Sequence, residues 1–91
     1  DIAARYGGEE FCVMLPSTTP KQAKTIADRI RSHVEKTVTD YEGMKLSITL
    51  SLGVACYDPD LDISAKYLID RADKAMYRSK QEGKNRVSVW E

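Results

Sequence analysis

The chain has 91 residues, 42% of them hydrophobic and 31% charged, a mix that suits one small folded domain and excludes a disordered or fibrous chain. Fourteen Lys and Arg side chains balance fourteen Asp and Glu, so no global field draws it to nucleic acid or to an anionic membrane, and any anion binding has to be local. Cys12 and Cys56 stand far apart with no CxxC spacing and no histidine cluster, which argues against a zinc site or a disulfide framework and for reduced, buried thiols in a cytosolic protein.

In chain order, residues 2–6 and 9–15 are expected as two strands around Gly7-Gly8, the second well buried because Phe11-Cys12-Val13-Met14-Leu15 is almost continuously apolar. Pro16 ends that run. Thr19 is the expected N-cap of a helix with Pro20 at its first position, and Ala23, Ile26, Ala27, Ile30 and Val34 form one apolar stripe along it. His33, alone beside Ile30 and Val34, is read as packing and receives no role. After a turn at Glu42-Gly43, Leu46, Ile48, Leu50, Leu52 and Val54 alternate with smaller or polar residues, predicting one long strand. The carboxylates of Asp58, Asp60 and Asp62 recur at alternate positions, but Ile63 and Ile69 occupy the places where a calcium loop needs glycine and glutamate, so a solvated loop is expected.

Ser64 is the expected cap of a second helix that buries Ala65, Leu68, Ile69, Ala72, Ala75 and Met76, and Gly83 is placed to end it. Val87, Val89 and Trp90 predict a last short strand. The order is β-β-α-β-α-β, an α/β (α+β) sandwich with helices packed on a mixed sheet. No apolar run reaches the roughly twenty residues that span a bilayer, and DIAARYGG has no basic region followed by an apolar core, so a soluble, unexported segment without direct membrane contact is expected.

Two stretches carry chemistry. In Gly7-Gly8-Glu9-Glu10 the glycines suit a tight turn, and two readings stand side by side: carboxylates that sit in water, or a pair of hard oxygen ligands for Mg²⁺ beside a backbone that phosphate can approach. In Lys80-Gln81-Glu82-Gly83-Lys84-Asn85-Arg86 three cations surround a helix C-terminus. They either complement the helix dipole or bind phosphate.

Together, RYGGEEF, then SLGVA at 51–55, then RADKAMYRSKQEGKNRV at 71–87 resemble, in order and spacing, the signature blocks of the GGDEF family of diguanylate cyclases. The resemblance implies a nucleotidyl-cyclase or polymerase-palm fold, and condensation of two GTP to cyclic di-GMP and pyrophosphate across a homodimer, with Mg²⁺ or Mn²⁺ as cofactor. Position by position, it implies that Glu9 is catalytic and a metal ligand and that Glu10 is the second carboxylate near the metals. Gly7 and Gly8 would let the nucleotide lie against the turn, and Lys80 and Lys84 would hold its phosphates. Many relatives have arginine where Lys84 stands, which keeps the charge and loses the bidentate fork.

Asp1 falls at the end of the family's product-inhibition motif, and Arg29 matches a helix position that can add to a cyclic di-GMP site; a salt-bridged or merely solvated role for both stands beside that reading. The resemblance covers residues 1–91 as the carboxy-terminal part of a single GGDEF domain. The first strand, with its metal-binding aspartate, and the early helices, with the guanine contacts, would lie upstream, as would a sensory or regulatory domain and any membrane anchor. The 91 residues alone are therefore expected to be inactive, and to expose an unpaired central sheet edge that leads to dimerisation, strand exchange or poor stability. GTP as substrate implies a cytoplasmic location. The competing function is a catalytically inactive module that senses GTP or cyclic di-GMP, and a purely structural dimerising fragment is the third class.

Overall fold

The computed structural model describes residues 10–58, 60 and 64–90 in full and residues 2–5 by their backbone. Strand β1 (Ile2–Arg5) pairs antiparallel with β2 (Phe11–Met14), Ile2 opposite Met14 and Arg5 opposite Phe11. The two paired strands flank the GGEE segment in sequence; Tyr6 and, of that segment, Gly7, Gly8 and Glu9 lie outside the described residues. The expected burial of its second strand is not found: Phe11 is 73% and Met14 60% exposed, and Val13 is exposed too. The physical reason is that, among the described residues, β2 pairs only with β1 and neither helix packs on the hairpin.

Helix α1 (Pro20–Lys36) starts as the sequence predicts. Thr19 Oγ1 accepts from the Gln22 N–H at 3.2 Å and Gln22 Oε1 accepts from the Thr19 N–H at 3.0 Å, a reciprocal cap that satisfies two otherwise orphaned donors. Of the apolar stripe, Ala23 and Ala27 are buried, Ile26 and Val34 half-buried, and Ile30 is exposed.

The long strand expected through residues 46–54 is replaced by two elements. Thr39–Tyr41 (β3) and Met44–Leu46 (β4) form a hairpin closed at Glu42-Gly43, whose φ angles of 49° and 83° suit a two-residue turn with both central residues at positive φ. Only Ser51–Val54 remains as β5, and Ile48, counted in the alternating pattern, is 65% exposed. The local turn recruited Met44 to Leu46 to a different partner, so the period-two pattern ran across two strands. The observed order is β-β-α-β-β-β-α-β.

Helix α2 (Ala65–Gln81) is capped by Ser64, as expected, and crosses from β5 to β6 (Arg86–Val89), which lies parallel to β5 with Ser51 opposite Arg86 and Val54 opposite Val89. A parallel pair needs such a crossover. Alternation along this pair sends its two faces to different helices. Leu52, Val54, Val87 and Val89 pack with Ala23 and Ala27 of α1, while Gly53 and Ser88 meet α2. A Cβ on Gly53 would stand 2.0 Å from the Ala72 carbonyl oxygen and 2.2 Å from the Met76 nitrogen, both backbone atoms, so only glycine admits this approach. Helices thus lie on both faces of the ladder, as a sandwich requires, yet the strands form three separate two-stranded ladders among the described residues instead of one mixed sheet. Cys12 and Cys56 are free thiols, half-buried where buried ones are predicted. No helix among the described residues is long and apolar enough to cross a membrane.

Candidate functional site

The cationic stretch after α2 is held in an unusual backbone. Gly83, Lys84 and Asn85 have φ of 121°, 62° and 48° in succession, conformations that glycine adopts freely, asparagine tolerates and lysine rarely takes. The Lys84 N–H donates to the Ser79 carbonyl at 2.9 Å, the return bond of a helix C-terminal motif. Arg86 Nε donates to the Lys84 carbonyl at 3.2 Å. Its guanidinium lies 2.8 Å from where a Cβ on residue 83 would stand, a contact that a flexible side chain can relieve, so it is the positive φ that favours glycine at 83. Lys80, Lys84 and Arg86 are all exposed around the negative end of the helix dipole.

Below this loop, Ser79 is fully buried. Its hydroxyl donates to the Leu52 carbonyl at 2.8 Å and accepts from the Ser88 hydroxyl at 2.7 Å, tying the last turn of α2 to β5 and β6 at once. From the side, α1 reaches the same loop. Arg31 Nη1 donates to Asn85 Oδ1 at 3.0 Å, and Asn85 Nδ2 donates to Glu35 Oε2. Arg31 also pairs with Asp28 at 2.9 Å and with Glu35 at 3.6 Å. The hydrogen bond that Arg31 donates to Asp28 and the charges of Asp28 and Glu35 raise the Arg31 pKa above its ordinary value despite partial desolvation, so it stays cationic at any working pH.

Of the residues singled out in the sequence, Lys80 and Lys84 meet in this one short segment. Glu10 is half-buried and directly precedes Phe11, the last paired residue at the turn end of the hairpin. Asp1, Gly7, Gly8 and Glu9 lie outside the described residues. Arg29 is exposed on α1, and no hydrogen bond or ion pair among the described residues joins Glu10 to Lys80 or Lys84. No group of three His, Cys, Asp or Glu side chains suited to a metal forms among the described residues.

Ser79, Ser88, Arg31, Glu35 and Asn85 went unnoticed in the sequence. An asparagine after Gly-Lys, with its tolerance for positive φ, and an Arg and Glu spaced i,i+4 on one helix were the available signals.

Comparison with known proteins extends this picture. Residues 1–86 match the family described as diguanylate cyclase, GGDEF domain. Diguanylate cyclase A of Treponema denticola is 53% identical over 89 residues, which cover 98% of this chain and 24% of the relative. Diguanylate cyclase DosC of Escherichia coli is 38% identical over 91 residues, covering 99% of this chain and 19% of the relative. This chain thus spans about a quarter or less of the curated relatives it matches. Among solved structures, the GGDEF domain of DgcB from Caulobacter crescentus, crystallised with c-di-GMP, superposes with a TM-score of 0.90 at 37% identity, over 98% of this chain and 51% of that one. A second structure of DgcB, comprising its coiled coil and GGDEF domain with c-di-GMP, superposes with a TM-score of 0.85 at 33% identity, over 96% of this chain and 46% of that one. With residues 1–86 matching the family model, and with the palm-like nucleotidyl-cyclase fold of its structural neighbours, the chain belongs to the GGDEF family of diguanylate cyclase domains.

Proposed function

We propose that this chain is the carboxy-terminal part of a diguanylate cyclase domain that condenses two GTP into cyclic di-GMP and two pyrophosphates between paired domains in the cytoplasm. The observation that carries the reading is the pair of exposed cations, Lys80 in the last turn of α2 and Lys84 in the conformationally fixed Gly83–Asn85 turn after it, in a member of this family whose GGEE motif is intact. In this scheme Lys80 and Lys84 hold the β- and γ-phosphates of GTP, and Gly7 and Gly8 leave the backbone open to the nucleotide. Glu9 accepts the proton of the attacking 3′-hydroxyl. The new bond joins that oxygen to the α-phosphorus of the facing GTP; the bond to the β-phosphate oxygen breaks, and pyrophosphate leaves from the lysines that already held it as part of GTP.

Glu9 and Glu10 would hold Mg²⁺ or Mn²⁺. Two adjacent carboxylates fit an ion that takes few protein ligands and completes its shell with water and phosphate. When bound, the ion supplies charge neutralisation at the phosphates and alignment of the reactants. A further carboxylate upstream is proposed to complete the metal site, and the 91 residues by themselves are proposed not to turn over. Asp1 and Arg29 are proposed to contribute to a site for the product, whose occupancy would slow synthesis.

The test is turnover of GTP with Mg²⁺ by the complete domain beside its Glu9→Gln variant, with nucleotides resolved by chromatography and mass. Cyclic di-GMP from the parent and a loss of at least about 10²-fold in the variant is expected, within the range that a positioned general base contributes. A folded parent dimer that binds GTP but makes no product would move the assignment to a nucleotide-sensing module.

A further inference from the structure

The loop that carries Lys84 is shaped by a side chain that points away from it. Asn85 is half-buried, and both ends of its amide are used by opposite charges on α1: the carbonyl faces the Arg31 guanidinium and the NH₂ faces the Glu35 carboxylate. Only this orientation satisfies both partners, because a cation offers donors alone and a carboxylate acceptors alone. Arg31 is in turn fixed by Asp28 and Glu35, and its side chain is only 18% exposed. From the other side, the Lys84 N–H is bonded to Ser79, which is anchored to both strands of the parallel pair. The three successive positive φ angles are therefore held at both ends by groups outside the loop. Such backbone persists where its surroundings over-determine it.

We infer that Asn85, gripped between Arg31 and Glu35, is a positioning residue for phosphate binding: it locks Lys84 in its left-handed conformation and thereby fixes where the ammonium group is presented. This deepens the proposed function and rests on its assignment of Lys84 to the GTP phosphates. Asn85 itself makes no contact in the reaction. Its effect belongs to binding that is equal in the ground and transition states, so it acts on KM and leaves kcat nearly unchanged.

Three variants of the complete domain test this. Asn85→Asp keeps the shape and the side facing Arg31 but sets a second carboxylate against Glu35. Pairing it with Glu35→Gln (N85D/E35Q) restores a donor on the α1 side. Asn85→Gly retains easy access to positive φ while deleting the side-chain grip. For N85D and N85G the KM for GTP is expected to rise about tenfold, the worth of one charge-assisted hydrogen bond, with kcat within about twofold. Amide exchange at residues 83–86 is expected to quicken, and N85D/E35Q to recover most of both changes.

An N85G domain with wild-type KM and wild-type exchange would overturn the inference, since backbone preference alone would then suffice. So would a KM defect in N85D that the second substitution fails to repair. Affinity for inorganic triphosphate, measured by calorimetry, provides the same comparison without turnover. If the wild-type domain synthesises no cyclic di-GMP, the cyclase assignment falls while triphosphate affinity and amide exchange still decide the role of Asn85. If it does not bind triphosphate, the positioning role falls as well.

Discussion

In the unit formed by β5, α2 and β6, with α1 laid across its other face, Val54 and Ala75 are buried and Ser79 is wholly enclosed; in the β1-β2 hairpin, Phe11, Val13 and Met14 stand open to solvent. Apolar composition does not separate the two regions, since the hairpin carries the larger side chains. What separates them is whether a second layer exists. The packed unit reaches its density with small residues, because Ala23, Ala27, Gly53 and Ala75 let helices come close on both faces. The hairpin has a ladder and no cover, and a two-stranded ladder alone is marginal in water. The whole chain exposes 7241 Å², where a compact monomer of its 10.2 kDa would expose roughly 5300 Å².

The contrast can be broken most severely at Gly53. Gly53→Ala drives a methyl group into α2 backbone that cannot swing aside, and a loss of about 3 kcal/mol or more is expected from overpacking at a fixed contact. Urea denaturation followed by far-ultraviolet circular dichroism would show it. Ser79→Ala comes next: it leaves the Leu52 carbonyl and the Ser88 hydroxyl buried without their partner, at a cost of about 1–3 kcal/mol on the same denaturation curve. Thr19→Ala removes half of the reciprocal cap of α1 and is expected to cost about 1 kcal/mol, with Thr19→Ser close to wild type.

In the hairpin the expected sign of difference is opposite. Phe11→Ser should change the stability of the isolated 91 residues by no more than about 0.5 kcal/mol, while reducing self-association in sedimentation velocity. Equal destabilisation by Phe11→Ser and Ser79→Ala would erase the distinction between the two regions. The smallest effect concerns Cys56, whose thiol is pushed above the ordinary range by burial. Its folded pKa exceeds its unfolded one, so the contribution is fully present below the unfolded value and is lost as pH rises through the folded one. A slight fall in midpoint above about pH 9, absent in Cys56→Ala, is the expected outcome.

These differences also explain which parts of the molecule were legible in the residues. Caps and stops carry their information locally: Thr19, Ser64 and Gly83 need only their neighbours, and each is found in its expected place. The apolar run at Phe11 to Leu15 promised burial, but burial depends on a partner layer that no residue in the run encodes. Leu46, Ile48 and Leu50 shared a period with Leu52 and Val54, while the turn at Glu42-Gly43 gave Met44 to Leu46 to another strand.

The site divides similarly. Lys80 and Lys84 are neighbours in sequence and were found together. The grip on Asn85 joins residues 50 and 54 positions apart, through hydrogen bonds that a single sequence does not announce.

The parallel pairing of β5 with β6 has a consequence in time. Ser51 meets Arg86 only after the whole of α2 has been laid down between them, whereas Arg5 and Phe11 are close in sequence and can pair within microseconds of being present. On a chain growing from its amino end, the hairpin around the acidic motif can form and reopen many times before the lysine loop has been synthesised. The loop acquires its shape last, when β6 docks and Ser88 reaches Ser79. Until then the open ladder is a ready partner for any other unpaired strand, so the interval between the two events, set by the rate of synthesis and not by stability, is when misassembly has its opportunity.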